Sequence, residues 1–254
     1  LLPKRNFKSH NLSAMRSFFQ QLATEGAEIN AERGRFDLTE KQFNDVHSDL
    51  SKVVTFSTAT LNAAEMLNQL EDKFKLPVTT TATALKRLQG ELIGLELQNM
   101  STGTALAMAL RQEGLALRPL KPKGGQLQLH VMLYDASIDT WPVGWKSPAS
   151  KKKLAPKMFD SLNIEIANYT LEQALEAIVP RIGVPLILDQ WILGQLQIDP
   201  SKIDVKLSRH KTFLKAALDR VLNQARLIGE LRVDELGTPF YWVTQFGKNS
   251  LRAE

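Results

Sequence analysis

Residues 170–189 read TLEQALEAIVPRIGVPLILD, and residues 62–81, which lie 108 positions earlier, read NAAEMLNQLEDKFKLPVTTT. In both stretches apolar residues first recur at the three- and four-residue spacing of a helix. A leucine or valine followed by proline then ends the helix, because the residue before proline is pushed out of the α-helical region. Apolar or β-branched residues follow and favour a short strand. The same helix-then-strand unit is therefore predicted twice.

The match between the two units extends well beyond these stretches. With the same offset of 108, apolar residues from Val54 to Leu110 fall on apolar residues from Leu162 to Leu218, with no gap. The units share apolar character and spacing, and they share no polar constellation. We therefore expect two units with one strand order and one core plan, and a sequence that is more informative about fold than about activity.

The predicted order within each unit is strand, helix, strand, turn, strand, helix and hairpin. In the first unit the strands fall at 54–56, 77–81 and 93–97, the helices at 61–74 and around 106–110, and the hairpin at 115–133. This order is a split βαβ arrangement. We predict an α+β fold of two tandem split-βαβ domains, each a small mixed sheet with two helices on one face and a closing hairpin.

The boundaries of the domains follow from the extent of the repeat. We place a helical N-terminal segment at residues 1–50, the first repeat domain at 51–135, a linker at 136–158 and the second repeat domain at 159–247. In the N-terminal segment, Thr39 and Gln42 form a capping-box pattern before a helix with Val46 and Leu50 on one face. We expect that face to pack against the first repeat.

The composition excludes several classes of protein. With 43% hydrophobic and 23% charged residues, and no apolar run near the roughly 18 residues of a membrane span, the chain is predicted to be globular and to have no span. The absence of cysteine excludes disulfides, thiol catalysis and thiolate metal sites. A net charge of +5 permits an acidic partner.

The linker contains the residues that we single out as candidates for binding. Lys151, Lys152 and Lys153 belong to a basic run without acidic residues, which is typical of a solvated linker and also permits an acidic ligand. Trp141 and Trp145 either anchor the linker on one domain or form a patch for a partner chain or a glycan.

The sequence predicts no catalytic residues, no cofactor and no metal site. Nucleophile elbows, phosphate loops, dinucleotide glycine patterns and zinc-protease motifs do not occur. The histidines are too scattered to suggest a shared metal ion. We therefore expect a protein that is not an enzyme.

Nucleic-acid binding is an alternative because RNA-recognition modules share the split βαβ plan. Such modules stack bases on aromatic side chains of their central strands. Here Phe240 and Trp242 alternate with Tyr241 on the last strand, so one of the two sets must face the helices. A core role is the preferred interpretation, and nucleic acid is not the partner that we expect.

Thr170–Ile178, with its Ala174-Leu175 pair, and Gly183–Asp189, a glycine followed by an apolar run that ends in aspartate, resemble the secretin and TonB short N-terminal domain family. The second helix of each unit carries another alanine-leucine pair, Ala217-Leu218 and Ala109-Leu110. The first unit fits less closely, with Lys75 in the place of Gly183. The resemblance implies a periplasmic or otherwise extracytoplasmic, envelope-associated protein whose domains bind other proteins. It implies no catalytic residues.

The function predicted on these grounds is a non-enzymatic protein-interaction or scaffold module. The partner would be another protein that pairs with a sheet edge or fills a helix groove. Two alternatives remain open: a nucleic-acid-binding protein that uses the basic linker, and an enzyme with its site between the repeats.

Overall fold

The computed structural model describes residues 11–25 and 31–245, and for residues 21–25 it describes the backbone alone. Within these residues helices and small mixed sheets alternate along the chain, which confirms the predicted α+β class. The helices are α1 (Leu12–Glu25), α2 (Glu40–Leu50), α3 (Ala63–Glu71), α4 (Ala82–Leu88), α5 (Thr102–Gln112), α6 (Lys151–Leu154), α7 (Leu171–Ile182), α8 (Gln190–Leu196) and α9 (Leu214–Gln224). The strands are β1 (Val78–Thr80), β2 (Leu115–Leu120), β3 (Gln128–Leu133), β4 (Ser161–Thr170), β5 (Leu186–Leu188), β6 (Asp204–Phe213), β7 (Leu227–Val233) and β8 (Pro239–Gln245).

Each unit contains the same three-stranded sheet. In the first sheet β3 is central, parallel to β1 and antiparallel to β2, and β8 has the same place between β5 and β7 in the second. The registers also correspond, since Val78 pairs with Leu129 in one sheet and Leu186 pairs with Tyr241 in the other. The tandem split-βαβ arrangement is compatible with this topology.

The second unit has an additional two-stranded antiparallel sheet, formed by β4 and β6. Helix α7 packs on β4, α9 packs on both β6 and β7, and the two helices pack on each other. We expected both helices on one face of a single sheet. Instead, the strands of this unit divide into two sheets, and α9 packs against strands of both.

The first unit lacks the counterpart of this two-stranded sheet among its described residues. The predicted strands at 54–56 and 93–97 are wrong, and only isolated bridges form there, Val53 with Ser101 and Asn62 with Leu92. The apolar pattern that suggested strands reflects burial in the core instead. A continuous ladder is interrupted because Gly94 and Asn99 adopt left-handed φ angles of 64° and 70°.

The uninterrupted offset of 108 is also wrong beyond helix α4. Helices α3 and α7 begin at Ala63 and Leu171, which are 108 positions apart, but α5 and α9 begin at Thr102 and Leu214, which are 112 apart. Four extra residues therefore lie between α8 and β6, where Pro200–Lys202 forms a 3-10 turn. A slip of four residues preserves both helical spacing and strand alternation, so the apolar pattern alone does not reveal it.

The two units also share polar features that the comparison of apolar residues missed. Asn62 and Glu65 form a capping box at the start of α3, and Thr170 and Gln173, at the offset of 108, form one at the start of α7. The expectation of no shared polar constellation is therefore wrong, because a capping box accepts several pairs of side chains.

The N-terminal segment packs on the first unit through α2. Thr39 and Gln42 make the predicted capping box, and Val46 and Leu50 are fully buried in the core of the first unit. On α1, by contrast, Phe18 is buried while Phe19 is 56% exposed.

Strand β8 connects the cores of the two units. Phe240 and Trp242 belong to the core of the first unit, whereas Tyr241 and Val243 belong to the core of the second. Tyr241 is buried, and its hydroxyl donates a hydrogen bond to Asp219 at 2.7 Å. Burial and the neighbouring carboxylate both raise the pKa of Tyr241. The two units are thus joined by a strand that is buried on both faces.

Helix α5 of the first unit is held at both ends by the second unit. At its N-terminus, Glu235 Oε2 accepts hydrogen bonds from the Thr104 backbone N–H at 3.1 Å and from the Ser101 hydroxyl. At its C-terminus, Arg111 Nε donates to both carboxylate oxygens of Asp189, at 2.9 and 3.0 Å, and Asp189 in turn caps α8. Nine consecutive residues of α5 are buried, so these contacts replace the water that would otherwise satisfy its ends.

We expect Glu235→Ala to lower the free energy of unfolding by about 3 kcal/mol, because it leaves buried donors at Thr104 and Trp141 without an acceptor. Chemical denaturation followed by circular dichroism measures the change. The control is Glu71→Ala on the exposed end of α3, which is expected to change stability by less than about 0.5 kcal/mol. Equal losses in the two variants would show that Glu235 does not join the units.

Candidate functional site

The two tryptophans of the linker are anchors in this structure. Trp141 is 3% exposed, and its ring stacks on Phe36 at 5.7 Å and on Phe43 at 6.0 Å. The Nε1–H groups of Trp141 and Trp145 both donate to Glu235 Oε1, at 2.5 and 3.1 Å. The geometry therefore favours the anchoring interpretation of this pair.

The three lysines of the linker lie on α6 and are exposed to solvent. They follow Trp145 by six to eight positions in the sequence. None of them makes an ion pair with another residue in the described part of the chain. The linker is not loosely solvated beside them, because Ala155 and Met158, just after α6, are each 1% exposed and belong to the core of the second unit.

The aromatic strand offers no stacking platform for bases. Phe240 and Tyr241 are fully buried and Trp242 is 3% exposed. The described histidines also lie apart, since His47 is on α2, His130 on β3 and His210 on β6, and His10 lies outside the described residues. In residues 11–25 and 31–245 no group of three or more His, Asp or Glu side chains could hold a metal ion.

The edges of the three-stranded sheets are short or covered. The Trp141 backbone N–H donates to the Leu117 carbonyl on β2 at 2.7 Å, so the linker covers that edge. Trp145 forms a two-bond bridge with Val233 on β7, at 2.7 and 3.0 Å. At the opposite edges, β1 and β5 have only three residues each.

The two-stranded sheet has a long open edge on β4. Natural edge strands are commonly protected from pairing with other chains by charged side chains, above all lysine, or by proline. Strand β6 has Lys206, Arg209 and Lys211, whereas the ten residues of β4, SLNIEIANYT, include Glu165 as their single charge. No described strand pairs with the outer side of β4. The unprotected edge is therefore that of β4.

A groove of about 250 Å³ runs between β4 and helix α7. Leu162 and Ile164 line it from the strand, where both are half-buried, and Ala174 and Ala177 line it from the helix. The small side chains on α7 leave room for side chains of an added strand. Pairing with β6 is regular from Ser161 to Ile164, and irregularities begin after Ile164. We call this surface, formed by Ser161–Ile164 and the facing side of α7, the β4 groove.

The β4 groove was not among the residues that we predicted to bind. The chemistry that it offers is unpaired backbone N–H and C=O groups beside apolar side chains, which is what strand addition requires. A comparison of the charge on β4 and β6 would have identified it from the sequence.

No protein-family model, no curated protein and no solved structure matches the chain.

Proposed function

We propose that this chain is a non-enzymatic protein-interaction module, in which a partner protein adds a strand to β4. The observation that supports this proposal is the long edge of β4, with Glu165 as its single charge, beside the β4 groove. The lining of that groove includes Leu162, Ile164, Ala174 and Ala177 as well as Arg181. Main-chain hydrogen bonds would supply affinity, and alternate side chains of the partner would enter the groove between β4 and α7.

The setting that we propose is an extracytoplasmic, envelope-associated protein. Its support is the resemblance of Thr170–Asp189 to the secretin and TonB short N-terminal domain family. The described helices include none long and apolar enough to cross a membrane.

The proposal is tested with peptides selected from a random peptide library displayed on phage. Hydrogen exchange measured with and without a selected peptide should show slower exchange at backbone amides of Ser161–Ile164. The same peptide, N-methylated at alternate residues, should lose binding, because it can no longer donate to the strand. Slower exchange confined to other elements would contradict the proposal.

We expect Asn163→Lys to weaken the selected peptides about tenfold or more, because a lysine on an edge strand opposes pairing. The control is Ser208→Lys, which places the same residue at an exposed position on the already charged strand β6. Fluorescence anisotropy of labelled peptide measures both affinities. Equal weakening by the two variants would mean that charge alone, and not the β4 edge, governs binding.

We expect the triple variant Lys151→Ala, Lys152→Ala, Lys153→Ala to leave folding and peptide affinity unchanged, since these side chains are exposed and unpaired. The same variant tests the nucleic-acid alternative in a gel-shift titration. Micromolar or tighter binding of nucleic acid at physiological salt, lost in the variant, would favour that alternative over the β4 groove.

A further inference from the structure

A cleft with a volume of about 1260 Å³ lies between the two units. The loop Glu91–Leu95 forms its wall in the first unit. Helix α7, strand β5 and helix α8 form the opposite wall, and residues 197–200 close one end. This cleft is separate from the β4 groove, which lies along β4 and the side of α7 that carries Ala174 and Ala177.

The walls of this inter-unit cleft are largely apolar. Leu92 is 61% exposed, and it lines the cleft together with Val179, Leu188 and Trp191. At Gly194 a Cβ atom would meet nothing within 4 Å, so this part of α8 opens into free space. The cleft is thus wide enough to admit a bulky apolar ligand.

The floor of the cleft is fixed before any ligand binds. The Arg111 guanidinium lies 5.1 Å from the Trp191 ring centroid, and Tyr134 packs edge-on against the same ring at 5.8 Å. Arg111 is itself held by Asp189, which is buried. A preformed apolar floor lowers the entropy cost of binding.

The charged side chains among the cleft's lining residues are all acidic. No lysine or arginine is among its lining residues. The five carboxylates that line it belong to Glu91, Glu113, Glu172, Glu176 and Asp199. This is opposite to the whole chain, whose net charge is +5. The cleft therefore concentrates negative charge on an otherwise basic protein.

One of these five carboxylates makes an ion pair. It belongs to Asp199, and a hydrogen bond from the Lys202 ammonium at 2.7 Å lowers the pKa of Asp199 to about 2. The other four make no ion pair with a described residue. Arg87 lies close to Glu113, but it donates to the backbone carbonyl and not to the carboxylate.

We propose that the inter-unit cleft binds a basic amphipathic helix of a partner protein. The apolar face of the helix would lie on Leu92, Val179 and Trp191, and its lysine or arginine side chains would reach the carboxylates at the rim. A helix is about 10–12 Å across with a pitch of about 5.4 Å, so a volume of this size holds about two to three turns.

The charge and the shape select this occupant over others. Phosphate groups of nucleic acids or anionic lipids would be repelled by the carboxylates. Strand addition is disfavoured because the strand that borders the cleft, β5, has three residues. A basic helix satisfies both the apolar walls and the acidic rim.

The probe is a fluorescein-labelled 14-residue peptide of leucine and lysine, with leucines at the i, i+3, i+4, i+7 spacing of one helix face. Its controls are a scrambled peptide of the same composition and a peptide with glutamate in place of lysine. Fluorescence anisotropy should show binding of the first peptide that weakens with salt, and little binding of the other two. Equal binding of the scrambled peptide would overturn the proposal.

Two matched pairs of variants locate the binding. Leu92→Ala should weaken the peptide about tenfold, whereas Leu85→Ala, at a residue that is 56% exposed but outside the cleft, should not. Glu176→Lys in the cleft should weaken binding of the peptide about tenfold. Glu71→Lys, at the exposed end of α3, should weaken it less than about twofold. If Glu71→Lys weakens binding as much as Glu176→Lys does, the attraction is nonspecific and the proposal fails.

The outcome is independent of the proposed role of β4. Asn163→Lys should leave this peptide unaffected, and Leu92→Ala should leave peptides of the β4 groove unaffected. Thermal unfolding of each variant establishes that it is folded. Slower hydrogen exchange at β4 rather than at residues 91–95 and 190–196 would assign the helical peptide to the β4 groove and overturn the cleft proposal.

Discussion

The structure depends on how the buried start of helix α5 is satisfied. A helix N-terminus leaves backbone N–H groups without partners, and Ser101 at the N-cap position does not use its side chain to cap them. Asp234 and Glu235, in the turn of the second unit's closing hairpin, accept from the Ser101 and Thr104 backbone N–H groups instead. Their negative charge also suits the positive end of the helix dipole. The first unit therefore needs the second to complete one of its own helices, and the two units cannot move apart without exposing these groups.

The linker also helps to join the two units, because it covers one edge of the three-stranded sheet in each. The backbone of Trp141 bonds to β2 and the backbone of Trp145 bonds to the end of β7. The indole N–H groups of both tryptophans donate to Glu235. Sheet edges that lie near the junction are thus closed by the chain itself. The edge of β4 lies on the two-stranded sheet, where the linker makes no described strand pairing, and it lacks the lysines that β6 carries. An open edge with a single charge, in a protein that closes other edges, is the reason to assign β4 a binding role.

The sequence predicted those features that are encoded locally. The helices that begin after Asn62 and Thr170, the strands after Pro77 and Pro185, and the capping box at Thr39 follow from spacing, proline and cap chemistry, and the structure contains them. The strands expected at 54–56 and 93–97 failed because burial in an irregular segment gives the same alternation as a strand. The difference in charge between β4 and β6 is visible in the sequence. The inter-unit cleft, by contrast, was out of reach, because it joins residues that are distant in sequence and match no motif. Glu235 is the clearest case: nothing around it in the chain indicates that it caps a helix more than 130 residues away.

The connection that is four residues longer in the second unit than in the first also lines the inter-unit cleft. In the first unit the connection after α4 is short, and Leu92 at once bridges back to Asn62. In the second unit the corresponding connection is longer and contains the 3-10 turn after Asp199. Both connections line the same cleft, from opposite sides. A repeat with identical loops would have placed two similar surfaces there. The divergence instead places an exposed leucine and the turn after Asp199 in one cleft, and the carboxylates of that cleft that make no described ion pair come from residues outside this turn.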